Sequence, residues 1–217
     1  MGRRGQACLT CINASGLRWR TLDSDTLHTM PKPIPKSVLV LVALPQELDA
    51  ALLQGNATVC YTGVGKVNAA YATLQALREH SPSLVINFGS AGRVAPCPGG
   101  LVEVASVLQR DMNAEPLAPR GATPFQEGGH TLHSGREGVV CGTGDSFVTA
   151  PDPWFATRGV QLVDMELYAV ASVCARQNVA WRALKFVSDD ANADSANDWQ
   201  ANVRRGEQMF VEWLLGQ

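Results

Sequence analysis

Five side chains able to donate, accept or hold a proton stand just beyond short apolar runs of the chain: Glu47, Ser90, Asp145, Glu166 and Asp189. If those runs are strands of one α/β sheet, all five fall at strand ends, where such sheets build their ligand crevice. Carboxylates gathered on one edge can divide acid–base work, because environment splits their pKa values. One protonates a leaving group while another activates or positions water, as in breaking a glycosidic bond through an oxocarbenium-like transition state. Each residue also has a structural alternative. An Asp after a strand commonly caps the next helix, and an acidic residue in a helical first turn complements the dipole. Position alone favours that alternative for every one of them.

The elements that would position them follow from hydrophobic periodicity. Residues 38–43 form an unbroken β-branched and aliphatic run, as expected of a strand buried on both faces, and Glu47 lies just past its end. Residues 57–61 make a second strand, followed by Gly63-Val64-Gly65-Lys66 and a helix with Val67, Ala70, Leu74 and Leu77 along one face. Residues 84–88 repeat the buried pattern and end in Gly89-Ser90-Ala91-Gly92, whose small side chains permit close ligand approach. A strand at 101–108 precedes long loops over 110–136. Two further strands are predicted at 138–142 and 159–163, the second running into a helix at 165–176 with Asp164 and Glu166 in its first turn. A last inner strand, 183–187, leads into Ser188-Asp189-Asp190, and 198–215 closes the chain as one amphipathic helix. Alternating strands and helices imply an α/β fold with helices on both faces of the sheet.

The 217 residues, 46% of them hydrophobic, suffice for one sizeable core, which places a single catalytic domain at 37–217. Residues 1–36 read as a poorly ordered N-terminal extension: Arg3, Arg4, Arg18 and Arg20 lack apolar periodicity, and Pro31, Pro33 and Pro35 close the segment. Asp23 and Asp25 argue against a transit peptide. Cys8 and Cys11 have no second Cys or His pair nearby to make a zinc site. A net charge of -2 offers no broad footprint for nucleic acid or an anionic membrane, so a small-molecule partner is expected. Six scattered cysteines suit a reducing, cytoplasmic setting, and no apolar run reaches the ~18 residues of a membrane span.

Five motifs add specificity. Thr62-Gly63-Val64-Gly65-Lys66-Val67-Asn68-Ala69-Ala70, Asn87-Phe88-Gly89-Ser90-Ala91-Gly92, Gly144-Asp145-Ser146-Phe147, Val163-Asp164-Met165-Glu166 and Val187-Ser188-Asp189 occur in the order seen in methylthioadenosine/S-adenosylhomocysteine nucleosidases. From residue 38 onward the chain resembles that branch of the nucleoside phosphorylase superfamily. The resemblance implies a three-layer α/β/α fold with a central mixed sheet, a homodimer, no cofactor and no metal, and hydrolysis of an adenine nucleoside in methionine salvage. It further implies that Asp189 is the acid that protonates purine N7, with Ser188 holding it, and that Glu47 is the base that activates water. Glu166 would accept from the ribose hydroxyls, Met165 would lie under the sugar, and Asp164 stands on the sugar side where the family more usually has Glu. Phe147 and Val148 match the segment that holds the base, Trp199 an aromatic cap, and Ser90, Ala91 and Gly92 the pocket floor.

The same resemblance bears on the nucleophile. Phosphorylases of the superfamily surround a phosphate with arginines, whereas the matching positions here are Glu47 and Asn87, which suit water. Arg93 stands where nucleosidases carry a small residue, and its position leaves two alternatives open, reaching a phosphate or facing solvent. The alternatives are therefore a phosphate-dependent purine nucleoside phosphorylase and a non-catalytic nucleoside-binding protein. Two departures lie on the substrate rim: residues 48–59 are too short for the family's extra hairpin, and Arg110-Asp111-Met112-Asn113 stands where a partner subunit normally completes the 5' pocket. Gly63-Val64-Gly65-Lys66 is no P-loop, since Val67 replaces the required Ser or Thr, and Asn68 occupies the third glycine position of a Rossmann turn. His130 and His133 read as loop residues without ligand partners.

Overall fold

A computed structural model describes residues 37–127 and 129–217; the predicted extension at 1–36 lies outside them. Among the described residues eight strands carry the fold: β1 (Val38–Val42), β2 (Thr58–Tyr61), β3 (Leu84–Arg93), β4 (Leu101–Gln109), β5 (Thr131–His133), β6 (Val139–Thr143), β7 (Leu162–Asp164) and β8 (Ala180–Asp189). They run β2-β1-β3-β7-β6-β4-β5, with β8 paired to both β3 and β4. Those two pairings close β3, β8, β4, β6 and β7 into a ring, from which β1 and β2 extend on one side and β5 on the other. Parallel and antiparallel pairs both occur, which makes the sheet mixed, as expected.

Burial on both faces explains the unbroken apolar run of β1. Leu39 and Leu41 face one core cluster, shared with the helices α1 (Lys66–His80) and α3 (Leu167–Arg176). Val40 and Val42 face another, shared with α5 (Arg205–Leu215), where Phe88 and Phe210 stack with ring centroids 4.2 Å apart. Two-residue alternation thus sends successive side chains to opposite helical layers, and the three-layer reading holds. Tyr168, Val170 and Cys174 all lie in the first of these clusters.

Several boundaries differ from the periodicity. The strands at 84–88 and 183–187 run on through the glycine-rich and acidic motifs, so the site residues stand on β3 and β8 rather than in turns beyond them. In α1 the buried stripe is Ala69, Thr73, Ala76 and Leu77, while Val67 is 80% exposed; starting the apolar stripe at Val67 rotated it off the true face. The stretch predicted as one helix over 198–215 is two, α4 (Ser195–Asn202) and α5, separated at Val203 and Arg204. The strand β5 emerges from the segment expected to be loop, and a short helix α2 (Pro153–Thr157), started by Pro153 and capped by Asp152, fills a stretch to which the periodicity assigns no element. The helix expected from 165 begins at Leu167; Asp164 ends β7 and Glu166 takes the N-cap position.

Candidate active site

The ends of β1, β3, β7 and β8, together with α4 and the loop after β6, enclose a cavity of about 380 Å³. Every residue assigned a site role lines it: Glu47, Ser90, Ala91, Gly92, Phe147, Val148, Asp164, Met165, Glu166, Ser188, Asp189 and Trp199. Asp145 does not; it is exposed and accepts from the Lys66 amide at 2.7 Å, a structural role at the start of α1 rather than at the next helix, α2, which Asp152 caps.

Glu47 is held in the turn after β1. Its Oε2 accepts from the Leu44 amide at 3.2 Å, and its Oε1 accepts from both the Ser90 amide (2.8 Å) and the Ser90 hydroxyl (2.7 Å). The same hydroxyl accepts from the Trp199 indole N–H at 2.8 Å, so a chain of hydrogen bonds runs from α4 through β3 to a carboxylate only 4% exposed. Trp199 therefore orients Glu47 as well as walling the cavity.

Asp189 owes its direction to a bulge. Ala91 pairs with Val187 but Gly92 pairs with Asp189, leaving Ser188 as the extra residue that re-aims the end of β8. The Ser188 hydroxyl donates to Asp189 Oδ2 at 2.8 Å, and the Ala191 amide donates to Oδ1 at 2.9 Å.

Glu166 accepts at Oε1 from the Gly65 amide, 2.9 Å away. Gly65 supports that contact with φ +93, a conformation that side chains disfavour, and a β-carbon there would meet Asp145 Oδ1 at 3.3 Å. Burial, then the neighbouring Asp164 charge, push the Glu166 carboxyl up to about 7, against the opposing pull of Lys185 and the Gly65 amide.

Asp164 lies at the cavity wall, yet its carboxylate is fully enclosed and already occupied. Lys185 Nζ is 2.8 Å from Oδ2, the Leu167 amide donates to the same oxygen at 2.8 Å, and the Thr143 hydroxyl donates to Oδ1 at 2.5 Å. Burial would raise the Asp164 carboxyl and lower the Lys185 ammonium, but the Lys185 charge with the Thr143 and Leu167 hydrogen bonds holds Asp164 below its usual range, and the Asp164 and Glu166 charges hold Lys185 above its own. Asp164, rather than Glu166, also supplies the side-chain acceptor at the start of α3.

Lys185 was missed because it sits inside a strand-like run, Ala183-Leu184-Lys185-Phe186-Val187. The signal was the ammonium itself, since a buried lysine requires a partner. Arg110 and Ser146 also line the cavity, although Arg110 belongs to the stretch where the resemblance puts a partner subunit's contribution to the 5' pocket. Arg93 is tied to Asp190, Nη2 to Oδ1 at 2.6 Å, and does not line the cavity.

Comparison with known proteins bears on the family and the fold. The family model described as the phosphorylase superfamily matches residues 50–214. A 5'-methylthioadenosine/S-adenosylhomocysteine nucleosidase from Bacillus cytotoxicus is 33% identical over 174 residues, covering 69% of this chain and 75% of that protein. The nucleosidase of the same name from Shewanella piezotolerans is 29% identical, covering 67% and 73%. Among solved structures, a mutant Helicobacter pylori enzyme of this type with 5'-methylthioadenosine in its active site superposes with TM-score 0.72 at 17% identity, covering 84% of this chain and 99% of that one. Futalosine hydrolase from the same organism gives 0.72 at 19% identity, covering 82% and 95%.

Proposed function

The chain belongs to the phosphorylase superfamily and, within it, to the methylthioadenosine/S-adenosylhomocysteine nucleosidases, and on that footing we propose that it hydrolyses the N-glycosidic bond of an adenine nucleoside such as 5'-methylthioadenosine or S-adenosylhomocysteine. The observation that carries this reading is that Glu47 and Asp189, each held by its own hydrogen bonds, share one cavity with Glu166.

In this reading Asp189 donates its proton to purine N7, so that the base leaves neutral as the bond to the ribose breaks. Glu47 takes a proton from water as its oxygen bonds to the anomeric carbon, giving free base and a ribose derivative. Glu166 accepts hydrogen bonds from the ribose hydroxyls, and its negative charge favours cationic character in the ring. Met165 underlies the sugar, Phe147 and Val148 hold the base, Trp199 caps it, and Ser90, Ala91 and Gly92 form the floor. Asp164 contributes indirectly, by fixing Lys185 and the start of α3. The reaction needs no cofactor or metal. Water is favoured over phosphate because carboxylates crowd the cavity, the Arg93 charge is spent on Asp190 outside it, and Arg110, the cation that does line it, gives its donors to Gly144 and Ser146.

Val64, at the cavity wall, and Val67 and Tyr71 on α1 are 42%, 80% and 65% exposed, an apolar surface suited to the second subunit of a homodimer. Cys60, Cys97, Cys141 and Cys174 are free thiols, in keeping with the cytoplasm, where the reaction would return adenine for methionine salvage. The test is release of free base from methylthioadenosine, S-adenosylhomocysteine, adenosine, inosine and futalosine, with and without phosphate. Base and free sugar without phosphate support the reading; strict phosphate dependence replaces it with a phosphorylase, and binding without cleavage replaces it with a nucleoside-binding protein.

A further inference from the structure

Arg110 follows the end of β4 and is 4% exposed. Its guanidinium crosses beneath the loop after β6. Nη2 donates to the Gly144 carbonyl at 3.0 Å and to the Ser146 carbonyl, and Nη1 donates to the Ser146 hydroxyl at 3.1 Å. Among the described residues it has no carboxylate within salt-bridge distance, so its hydrogen bonds go to this loop. A guanidinium presents several donors in a rigid fork that a flexible ammonium cannot reproduce.

Gly144 in the loop and Gly142 at the end of β6 leave room for it. A β-carbon on Gly144 would come within 2.9 Å of Arg110 Cζ and equally close to Asp111 Cγ; one on Gly142 would lie 3.4 Å from Arg110 Cβ. Asp111 completes the grip, its Oδ2 accepting from the Asp145 amide at 2.8 Å while Lys66 Nζ holds its Oδ1 at 2.6 Å. Residues 144–146 are thus gripped at two carbonyls, one amide and one hydroxyl, immediately before Phe147 and Val148.

Resting on the reading that Phe147 and Val148 hold the base, we infer that Arg110 is a positioning residue for base specificity: it fixes the loop whose backbone reads the purine. Hydrogen bonds to a charged group are worth about 1.5–3 kcal/mol, or roughly tenfold to a hundredfold in an equilibrium. Loosening the loop should therefore weaken base binding on that scale and leave the sugar side little affected.

The experiment compares wild type with Arg110→Met, Arg110→Lys and Gly144→Ala, using calorimetric titration with free adenine and steady-state kinetics on adenosine, inosine and methylthioadenosine. Arg110→Met should weaken adenine binding about tenfold to a hundredfold, raise KM far more than it lowers kcat, and narrow the preference between adenosine and inosine. Arg110→Lys keeps the charge but not the fork, and should recover part of the loss. Gly144→Ala should lose at least as much as Arg110→Met, because its methyl group displaces both the guanidinium and Asp111, the two holds on this loop. Should Arg110→Met fail to fold, the lysine and alanine variants carry the same comparison. Unchanged adenine affinity in these variants, or equal losses on base and sugar changes, overturns the inference. So does a wild-type protein that does not bind adenine. A wild type that binds adenine with these same variant effects yet cleaves no nucleoside defeats the hydrolase reading and leaves this inference standing.

Discussion

Asp189 lies so close over Gly92 that a β-carbon at position 92 would stand 2.8 Å from its Oδ1 and 3.3 Å from the Ala191 methyl group. The two residues are register partners across β3 and β8, just past the bulge that aims the carboxylate into the cavity. Gly92→Ala must therefore push Asp189 away from its place. A misplacement of 1 Å at a reacting group can reduce rate by about 10²-fold. We expect a kcat loss of that order with a melting temperature that falls only modestly; wild-type kcat in a folded Gly92→Ala protein would show that the position of Asp189 is not critical.

Asp189→Asn tests the proton itself. Asparagine keeps the approximate shape and can still accept from the Ala191 amide, but cannot deliver a carboxylic acid's proton. Loss of general acid catalysis costs about 10²–10⁴ in rate, so turnover should fall on that scale while nucleoside affinity stays close to wild type. Binding measured by calorimetry alongside base release separates the two effects, and wild-type-like turnover would remove Asp189 from the mechanism.

Much of this site was legible because strand ends and short motifs are local features. Apolar runs put Glu47, Glu166 and Asp189 at strand ends, the resemblance of the motifs around them marked them as site residues, and all three line one cavity. What could not be read was long-range satisfaction of charge. Asp164 and Glu166 are two residues apart in one motif, yet Lys185 occupies the first and leaves the second open to the cavity, a distinction set by which strand lies beside β3. Closure of the ring through β8 was equally hidden, since hydrophobic periodicity gives a strand but not its partners. The rotated face of α1 has a local cause: the buried position 73 is a threonine, whose hydroxyl donates to the Ala69 carbonyl at 2.6 Å, so apolar matching slid toward exposed Val67.

Removing one partner of a buried ion pair is far worse than never having it. Lys185→Met would leave Asp164 charged and fully enclosed, without the ammonium 2.8 Å away. Loss of this kind costs about 3–5 kcal/mol, a large share of a domain's stability. Urea unfolding should register it, and adding Asp164→Asn to the same protein should recover part of it by removing the stranded charge. A Lys185→Met protein as stable as wild type would mean that the pair contributes nothing net.

Glu166 gives stability and binding opposite dependences on pH. In the unfolded chain its carboxyl loses the proton near 4.5, whereas in the folded protein burial and the Asp164 charge hold the proton to about 7. Between those values the folded state binds more protons than the unfolded one, so stability falls as pH rises, and above about 7 the full loss persists. A shift of this size corresponds to at most about 3 kcal/mol. Glu166→Gln should remove this contribution, flattening the profile and leaving the variant less penalised than wild type at about pH 8. Ribose binding runs the other way, because the hydroxyls need an ionised acceptor: nucleoside affinity should strengthen through the window in which stability declines, and Glu166→Gln should lose that gain. Urea midpoints and dissociation constants, measured on both proteins between about pH 5 and pH 8, give the two curves. If they rise and fall together, or if the glutamine variant keeps both slopes, a group other than Glu166 is titrating.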